Sequence, residues 1–327
     1  MNICLIGDFS QELDEGAKNV IHCINQELSK KYSIIKINEK SIFSQKFIKK
    51  IFSSEKPDIV HYFTDPTIFS LLFLKVLSFY WRGSKTIVSA LHPDIPVAFR
   101  KISSFLKPDL LLVQSNRDLI LFKNLSFRSA FLPNGVDTDK FRPGNPDIKN
   151  NLREKFGVKN NQFLILHVGH LKENRHLEVL EKMSDASTQI LVIASEYIGV
   201  DKEICNKLIK SGVIVKIGYI QNIEEIFGIA DCYIFPVEDK GAITTPLSVL
   251  EAMACNLPVV TRKFSGLEYL FKEEKGLFFA NTDQEFIEKI NTIKSGVISN
   301  TREMVLNYSW QNIGFQLDEI YNNVLKS

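Results

Sequence analysis

Short apolar runs alternate with longer amphipathic stretches along this chain of 327 residues. Short apolar runs predict buried strands, and apolar spacings of three and four predict helices, so the alternation is typical of βαβ units with parallel sheets. In the first half, strands are predicted at residues 2–6, 33–37, 59–62, 85–90, 110–114 and 129–132. A second series is predicted at residues 162–168, 190–194, 213–217, 232–236, 258–261 and 276–279. Two Rossmann-like halves in tandem are therefore expected.

The seam between the two halves is predicted near residues 143–146, where two prolines and a glycine separate the two series of strands. A chain of this length exceeds the usual size of one hydrophobic core, which also favours two domains. Helical spacing is clear at residues 16–29 and 46–54. The tail, residues 310–325, is predicted as one amphipathic helix whose apolar face carries Ile313, Leu317, Ile320, Tyr321 and Leu325.

Charge is unevenly distributed between the two halves. The formal net charge is +2; from Met1 to Arg142 the count is 20 − 14 = +6, and the remainder gives 20 − 24 = −4. A basic first half indicates contact with something anionic. A solvated surface with uneven use of lysine would give the same numbers, so both interpretations stay open. Hydrophobic content of 45% with 24% charged residues is ordinary for a globular protein.

The five cysteines are odd in number, widely spaced and without a Cys-x-x-Cys pair. They indicate neither a disulfide framework nor a zinc site, and a reducing cytoplasm fits best. The apolar run at the start of the chain is too short for a signal peptide, and it is predicted as a strand. The longest apolar run, residues 69–80, is interrupted by Lys75 and is too short to span a bilayer. It is interpreted as a buried helix in preference to a surface membrane contact.

The segment from Thr245 to Val260 carries the most specific chemistry. It is predicted as a loop, a helix that Thr245 caps and Pro246 opens, and a buried strand led by Pro258. The first free amides, those of Leu247 and Ser248, would point out of the helix and could bind a diphosphate. Glu251 follows one turn later and could accept hydrogen bonds from a sugar ring attached to that phosphate. Together these features suggest a nucleotide-sugar site.

Here the chain resembles the retaining GT-B glycosyltransferases of the family 4 type. Their donor helix carries a Glu, seven residues, a second Glu with Ala-Met-Ala, and then a small-Pro-Val-Val strand. Glu251-Ala252-Met253-Ala254 and Pro258-Val259-Val260 match the second half of that pattern. The place of the first Glu holds Ile243, and Thr244-Thr245-Pro246 replaces the usual Gly-Phe-Gly. The preceding loop is longer than the common pattern, so Glu238 or Asp239 could supply the missing carboxylate.

A second match lies in His167-Val168-Gly169-His170-Leu171, followed by Arg175. In the family this stretch is Val-Gly-Arg-Leu, with a Lys five residues after the Arg. By this resemblance His170 takes the place of the Arg and Arg175 that of the Lys. Both would offset the negative charge that grows on the diphosphate leaving group, Arg175 as a permanent bidentate cation. The alternative is a strand-end His and a solvated helix Arg.

The first half offers weaker candidates. Gly7-Asp8-Phe9 and Gly16 do not form the Gly-x-Gly-x-x-Gly fingerprint, which argues against a nicotinamide dehydrogenase. By the resemblance, Gly16 lets the backbone approach the donor diphosphate. His92 follows a predicted strand, where open α/β sheets place ligands, and the resemblance puts it near the reacting sugar carbon. The same argument, with less support, makes His61 a candidate for ligand contact. A purely structural role remains open for all three residues.

Two further segments have a structural interpretation. Asp137-Thr138-Asp139 follows an Asn-Gly turn and matches the family's Pro-Asn-Gly-Val-Asp segment, so it is not interpreted as a metal site. The predicted helix at residues 45–54 places Lys46, Lys49 and Lys50 opposite apolar residues. That pattern suits an anionic membrane surface, but the core is the favoured location of its apolar side.

The resemblance covers nearly the whole chain and implies a GT-B fold, α/β, with two Rossmann-like domains facing across a cleft and a C-terminal helix crossing back to the N-terminal domain. Residues 1–143 with 309–327 would bind the acceptor, and residues 144–308 would bind the donor. A sugar would pass from a nucleotide-diphosphate sugar to a glycan, lipid-linked or small-molecule acceptor with retention of anomeric configuration. No enzymic nucleophile, cofactor, metal or nucleic acid is expected.

Individual roles follow from the same resemblance. The expected catalytic residues are His92, Arg175 and His170. The expected donor-binding residues are Gly16, Gly169, Tyr219, Ile220, Thr244, Thr245, Leu247, Ser248 and Glu251. A cytoplasmic location is expected, with peripheral contact at the inner face of the membrane as a further hypothesis. Ile243 suggests an altered donor, such as a deoxy sugar or pentose. The main alternative is an inactive GT-B homologue that serves as a binding or assembly subunit.

Overall fold

The computed structural model contains two parallel six-stranded sheets, each with its own helices. It describes residues 1–10, 15–41, 44, 51, 55–91, 106–196, 199–238 and 244–327. The chain divides into two compact units. The first comprises Met1–Gly135, Lys240–Thr245 and Trp310–Ser327, and the second comprises Val136–Asp239 and Pro246–Ser309. The expected seam at residues 143–146 therefore lies within the second unit by this division.

The first unit contains these elements in chain order: β1 (Asn2–Gly7), α1 (Gly16–Ser29), β2 (Ser33–Asn38), β3 (Ile59–Thr64), α2 (Ile68–Tyr80), β4 (Lys85–Ala90), β5 (Leu110–Val113), α3 (Asn116–Asn124) and β6 (Ser129–Phe131). Its sheet has the order β2-β1-β3-β4-β5-β6. The inner strands β1, β3, β4 and β5 are buried on both faces, as parallel strands covered by helices require, and the edge strands β2 and β6 are mostly half-buried or exposed. From β1 the chain continues to β2 on one side of the sheet, and from β3 it continues to β4 on the other side. The loops that follow β1 and β3 therefore run in opposite directions.

The second unit begins with α4 (Pro146–Phe156), β7 (Phe163–His170), β8 (Thr188–Ser195), α5 (Lys202–Lys210), β9 (Ile214–Ile217), α6 (Ile223–Ile229) and β10 (Cys232–Phe235). It continues with α7 (Leu247–Ala254), β11 (Val259–Thr261), α8 (Leu267–Leu270), β12 (Leu277–Phe279), α9 (Asp283–Lys294) and α10 (Thr301–Val305). The sheet order is β12-β11-β10-β7-β8-β9, with all pairs parallel. Each strand predicted from the sequence is present, with ends shifted by at most two residues.

The C-terminal helix α11 (Trp310–Leu325) packs on α1 within the first unit, as expected. A Cβ on Gly314 would stand 2.9 Å from Cβ of Glu27, so the two helices are in close contact there. Lys31 and Asp318 form an ion pair of 2.7 Å beside this contact. The buried face differs from the prediction at its last turn: Val324 is buried and Leu325 is exposed.

His61 is part of the core of the first unit, so its prediction as a ligand-contacting residue was wrong. Its side chain is fully buried, with Nδ1 2.6 Å from Tyr321 Oη and Nε2 2.8 Å from Ser89 Oγ. Burial lowers the pKa of the imidazole to about 3, so the ring is neutral at physiological pH. His61 thereby joins β3, β4 and α11.

Helix α2 is only half buried, which corrects its prediction as a core helix. Ser70, Leu71, Leu74 and Leu77 face the sheet, while the opposite face is exposed. No helix among the described residues has the length and apolar character needed to cross a bilayer. The predicted basic helix at residues 45–54 lies outside the described residues, apart from Ile51.

Candidate functional site

In the second unit, the sheet changes its direction of winding at β7 and β10. These two strands are neighbours, and the chain runs from β7 towards β8 and β9 on one side and from β10 towards β11 and β12 on the other. In open α/β sheets, ligands bind beyond the carboxyl ends of the strands at such a point. His170 ends β7 and Arg175 follows it, and helix α7 with Glu251 follows β10. Both sequence matches therefore converge on the same edge of one sheet.

Helix α7 begins at Leu247, one residue later than predicted. Pro246 is the N-cap residue, with φ −62° and ψ 126°, and no side chain caps the helix. The prediction that Thr245 caps it was wrong, because Thr245 is held elsewhere: its hydroxyl donates to the Gln114 carbonyl over 3.5 Å, and its own carbonyl accepts from Asn134 over 3.0 Å. The amides of the first turn thus have no capping side chain, as an anion site requires.

The expected donor residues Thr244 and Thr245 are both buried. The Thr244 hydroxyl donates to Gln114 Oε1 over 3.3 Å, and the Gln114 amide in turn donates to Asn134 Oδ1 over 2.6 Å. The two hydroxyls are therefore engaged within the first unit, to which this segment is assigned. Ile243 and Asp239 lie outside the described residues.

Glu251 lies one helical turn beyond Leu247 and is partly buried. Burial raises the pKa of its carboxyl to about 7; the positive charge of Lys140 acts in the opposite direction, and Glu224 adds repulsion. Lys140 and Glu224 themselves form an ion pair of 3.4 Å. A carboxyl with this pKa can change its charge when a ligand supplies hydrogen-bond donors.

Ser248 ties the start of α7 to the two central strands. Its hydroxyl hydrogen-bonds the buried phenol of Tyr233 on β10. The Tyr233 hydroxyl donates to the Val168 carbonyl on β7 over 3.2 Å. Because Tyr233 is fully buried, this chain of hydrogen bonds holds the start of the helix at a fixed position relative to both strands. Tyr233 was not singled out in the sequence, since a Tyr in an apolar strand has no local signal of such a role.

Arg175 ends a short 3₁₀ turn, Glu173–Arg175, that follows β7. The turn stops at His176, which has a left-handed φ of 53°. Burial lowers the pKa of the Arg175 guanidinium, and its buried Nε has no hydrogen-bond partner among the described residues. A half-buried cation with a free donor suits an anionic ligand. His170, the last residue of β7, is partly buried at the same end of the strand.

His167 is a further polar residue at this end of β7. It is fully buried, and Nδ1 donates to the Ile234 carbonyl over 3.0 Å, which leaves Nε2 as an acceptor. Burial lowers its pKa to about 4, and the positive fields of Arg175 and His170 act in the same direction. A Cβ on Gly169 would stand 3.1 Å from His167 Nε2, so a glycine keeps the ring uncrowded.

Two residues were candidates for the carboxylate that Ile243 does not supply, and of these Glu238 lies among the described residues. It follows β10, and its Oε2 lies 3.2 Å from Nε2 of His176, the residue after Arg175. This pair links the loop after β7 with the loop after β10. A carboxylate is therefore present at the switch point, although in a different place along the chain from the family pattern.

The remaining expected residues lie elsewhere in the two units. Tyr219 and Ile220 follow β9 at the edge of the second sheet, and Tyr219 is 56% exposed. Gly16 opens α1 in the first unit, where the Glu15 carboxylate accepts from the amides of Ala17 and Lys18 and so occupies this helix terminus. His92 lies outside the described residues.

Asp137 precedes a turn at residues 138–140, whereas no turn forms at Asn134-Gly135, where the sequence predicted one. Asp137 Oδ1 accepts from the amides of Asp139 and Lys140 over 3.1 and 2.9 Å. The turn is held to α10, because Arg302 donates to the carbonyls of Thr138 and Phe141. Among the described residues, no group of three His, Cys, Asp or Glu side chains could hold a metal ion.

Residues 148–309 match the protein family described as glycosyl transferases group 1. The sulfoquinovosyl transferase of Arabidopsis thaliana is 28% identical over 280 residues, which cover 76% of this chain and 52% of that protein. The UDP-Gal:α-D-GlcNAc-diphosphoundecaprenol α-1,3-galactosyltransferase of Escherichia coli is 25% identical over 312 residues, covering 87% and 76%. The match thus spans about half of the first relative's length and three quarters of the second's.

The solved structure of Anabaena HepE in complex with UDP-glucose superposes with a TM-score of 0.76 at 17% identity, covering 98% of this chain and 99% of that one. The fold of this chain is therefore GT-B, as the sequence predicted. Residues 148–309 are thus similar to the glycosyl transferases group 1 family, and most of the chain is similar to two curated transferases.

Proposed function

We propose that this chain is a retaining glycosyltransferase of the family 4 type. It transfers a sugar from a nucleotide-diphosphate sugar to a glycan or lipid-linked acceptor. The observation that carries the proposal is the position of Glu251 one turn behind the uncapped start of α7, at the switch point of the second sheet. A helix start that offers amides to phosphate, with a carboxylate in reach of a ribose, matches the two ends of a nucleotide diphosphate.

The donor would lie along α7 and the end of β7. The amides of Leu247 and Ser248 would bind the diphosphate, and Glu251 the ribose hydroxyls. The backbone of Tyr219 and Ile220, with Gly169 giving close access, would border the nucleotide. A relative with the same fold has been solved in complex with UDP-glucose, which supports a donor of this chemical class.

Cleavage of the sugar–phosphate bond leaves a growing negative charge on the diphosphate. Arg175 would stabilise this charge with its unpaired Nε donor, and His170 would add a hydrogen bond. The acceptor hydroxyl would attack the same face of the sugar and give its proton to the departing phosphate oxygen, which leaves the anomeric configuration unchanged. Gly16 and His92 are proposed, by resemblance alone, as contacts of the donor diphosphate and the transferred sugar. No metal or cofactor takes part in this scheme.

A membrane-linked acceptor is supported by one of the relatives, whose name specifies a diphosphoundecaprenol acceptor. Under this proposal the basic first half, residues 1–143 with 309–327, binds the acceptor, and residues 144–308 bind the donor. The protein would work at the cytoplasmic face of a membrane. Ile243 suggests a donor that lacks a hydroxyl contacted by the usual Glu, such as a deoxy sugar or a pentose.

The direct test is turnover of a panel of UDP-, GDP-, ADP- and dTDP-sugars with glycan and polyprenyl-diphosphate acceptors. Release of nucleotide with one donor, and a product whose anomeric proton coupling equals that of the donor, is the expected result. An inverted product would contradict retention. Nucleotide binding without turnover for any donor and acceptor would instead indicate the inactive binding or assembly subunit.

A further inference from the structure

The outer face of helix α2 is an exposed apolar surface. It consists of Phe69, Leu72, Val76, Phe79 and Tyr80, which recur at spacings of three and four. Phe69 is 84% exposed and Phe79 is 72% exposed. Single exposed apolar side chains are normal, but a continuous helical stripe of this kind marks an interaction surface.

The inner face of α2 packs against the sheet, so the exposure of the outer face does not result from a misplaced helix. Leu71, Leu74 and Leu77 are buried against the sheet. Its start is fixed by a capping box, in which Thr67 Oγ1 accepts from the Ser70 amide and Ser70 Oγ from the Thr67 amide. The outer face is therefore presented on a rigid element.

The charged side chains of α2 and of the segment that follows it are all positive, while Asp65 lies just before the helix and Asp109 lies 4.0 Å from Lys85. From Pro66 to Pro93 the sequence contains no Asp or Glu, and its charged residues are Lys75, Arg82 and Lys85. Lys75 is exposed on α2 itself, and the Arg82 guanidinium lies 4.9 Å from the centre of the Phe79 ring. A surface with aromatic and aliphatic side chains bordered by basic residues is complementary to an anionic lipid interface.

We propose that the outer face of α2 docks the protein on an anionic lipid bilayer, with Phe69 and Phe79 inserted among the acyl chains. Lys75 and Arg82 then lie at the level of the lipid phosphates, where their long side chains extend to the headgroups. The choice of a bilayer over a protein partner rests on the proposed function, since a lipid-linked acceptor requires the enzyme at a membrane. The surface belongs to α2, whereas the predicted basic helix at residues 45–54 lies outside the described residues apart from Ile51.

The test is co-sedimentation of the full chain with vesicles of phosphatidylglycerol and phosphatidylcholine, and with phosphatidylcholine alone. The double variant Phe69→Ser/Phe79→Ser should bind the anionic vesicles about tenfold or more weakly than the wild type. Phe315→Ser/Ile298→Ser is the matched control, because these apolar side chains are 61% and 91% exposed and lie outside α2. Lys75→Gln/Arg82→Gln should weaken binding to anionic vesicles by roughly fivefold per residue and leave weak binding to neutral vesicles unchanged.

Three results would overturn the proposal. The first is no sedimentation of the wild type with vesicles, and the second is an equal loss of vesicle binding in Phe69→Ser/Phe79→Ser and in the control Phe315→Ser/Ile298→Ser. The third is a dimer in light scattering that Phe69→Ser/Phe79→Ser dissociates. The last result would assign the face to a second copy of the chain. The thermal midpoints of the same variants are also measured with UDP, GDP, ADP, dTDP and their sugars. Vesicle binding without any nucleotide binding would support the docking surface and contradict the proposed function. Nucleotide binding without vesicle binding would contradict only the docking surface.

Discussion

The Tyr233 hydroxyl donates a hydrogen bond of 3.2 Å to the Val168 carbonyl, and so joins the two strands between which the second sheet changes direction. The same phenol receives the Ser248 hydroxyl from the first turn of α7. The position of the proposed phosphate-binding amides is thus set by a buried tyrosine on the neighbouring strand. An anion site of this kind needs such rigidity, because its donors must be in place before the ligand arrives.

Replacing Tyr233 by Phe should weaken both the fold and the donor site. The change leaves the part-buried Val168 carbonyl without the Tyr233 donor, which costs about 1–2 kcal/mol of unfolding free energy. The start of α7 is then no longer tethered, so nucleotide affinity should fall as well. Thermal unfolding and nucleotide titration measure the two effects. Ile298→Ala, at a 91% exposed side chain of the same unit, is the control and should change neither.

Nucleotide-sugar binding should strengthen as the pH rises through 7. The Glu251 carboxyl has a pKa of about 7 in the unliganded protein, and the ribose hydroxyls would hydrogen-bond its ionised form. If only that form binds, the dissociation constant should be about tenfold larger at pH 6 than at pH 8. Calorimetry with UDP-glucose in buffers of different ionisation enthalpy should detect proton release near pH 6.5. A pH-independent dissociation constant would contradict the raised pKa of Glu251 or its contact with the ligand.

The same pKa shift predicts how stability depends on pH without ligand. The folded-state pKa of Glu251 is raised from 4.5, so the unfolded chain loses this proton first as the pH rises. The wild type should therefore lose stability relative to Glu251→Gln between about pH 4.5 and pH 7, with no further change above that range. Thermal midpoints of the two proteins over this range provide the measurement. Parallel midpoint curves would contradict the raised pKa.

Arg175→Ala should lower kcat by about 10²-fold or more, because it removes positive charge at the leaving diphosphate. Arg175→Lys should recover only part of this loss, since a lysine retains the charge but cannot bind two phosphate oxygens in the planar geometry of arginine. Arg142→Ala, at an exposed arginine of the same unit, is the control and should leave kcat unchanged. Wild-type turnover in Arg175→Ala would place the leaving group elsewhere.

Tyr321→Phe should destabilise the first unit without affecting donor chemistry. The change removes the partner of buried His61 Nδ1 on α11, with an expected cost of about 1–2 kcal/mol. The thermal midpoint should fall by roughly 2–8 °C for a domain of this size. Phe315→Leu, at a 61% exposed side chain of the same helix, should leave the midpoint unchanged. An unchanged midpoint in Tyr321→Phe would show that the His61 contact does not hold α11.

The sheets were predictable from sequence because the inner strands are short apolar runs that are buried on both faces, and parallel sheets covered by helices bury such runs. The ends of α1 and α11 were also read correctly, since amphipathic spacing defines both helices. Side-chain roles that depend on distant residues were not predictable. His61 looked like a strand-end ligand because its partner Tyr321 is 260 residues away.

The start of α7 shows the same limit at the candidate site. Thr245-Pro246 has the sequence of a capped helix, but Gln114 and Asn134 hold Thr245 and displace the start by one residue. Likewise, the outer face of α2 was interpreted as core because its apolar residues surround the helix. Only the position of the sheet beneath Leu71 and Leu74 decides which of them are exposed.

The central claim is that α7 and Glu251 bind a nucleotide diphosphate. The most direct measurement is the thermal stability of wild type, Glu251→Ala and the exposed control Glu154→Ala with UDP, GDP, ADP, dTDP and their sugars. A ligand at a hundredfold its dissociation constant adds about 2.7 kcal/mol of stability. The account predicts such a gain with one nucleotide for the wild type and Glu154→Ala, and its loss in Glu251→Ala. No gain with any nucleotide, or an equal gain in all three proteins, would contradict it.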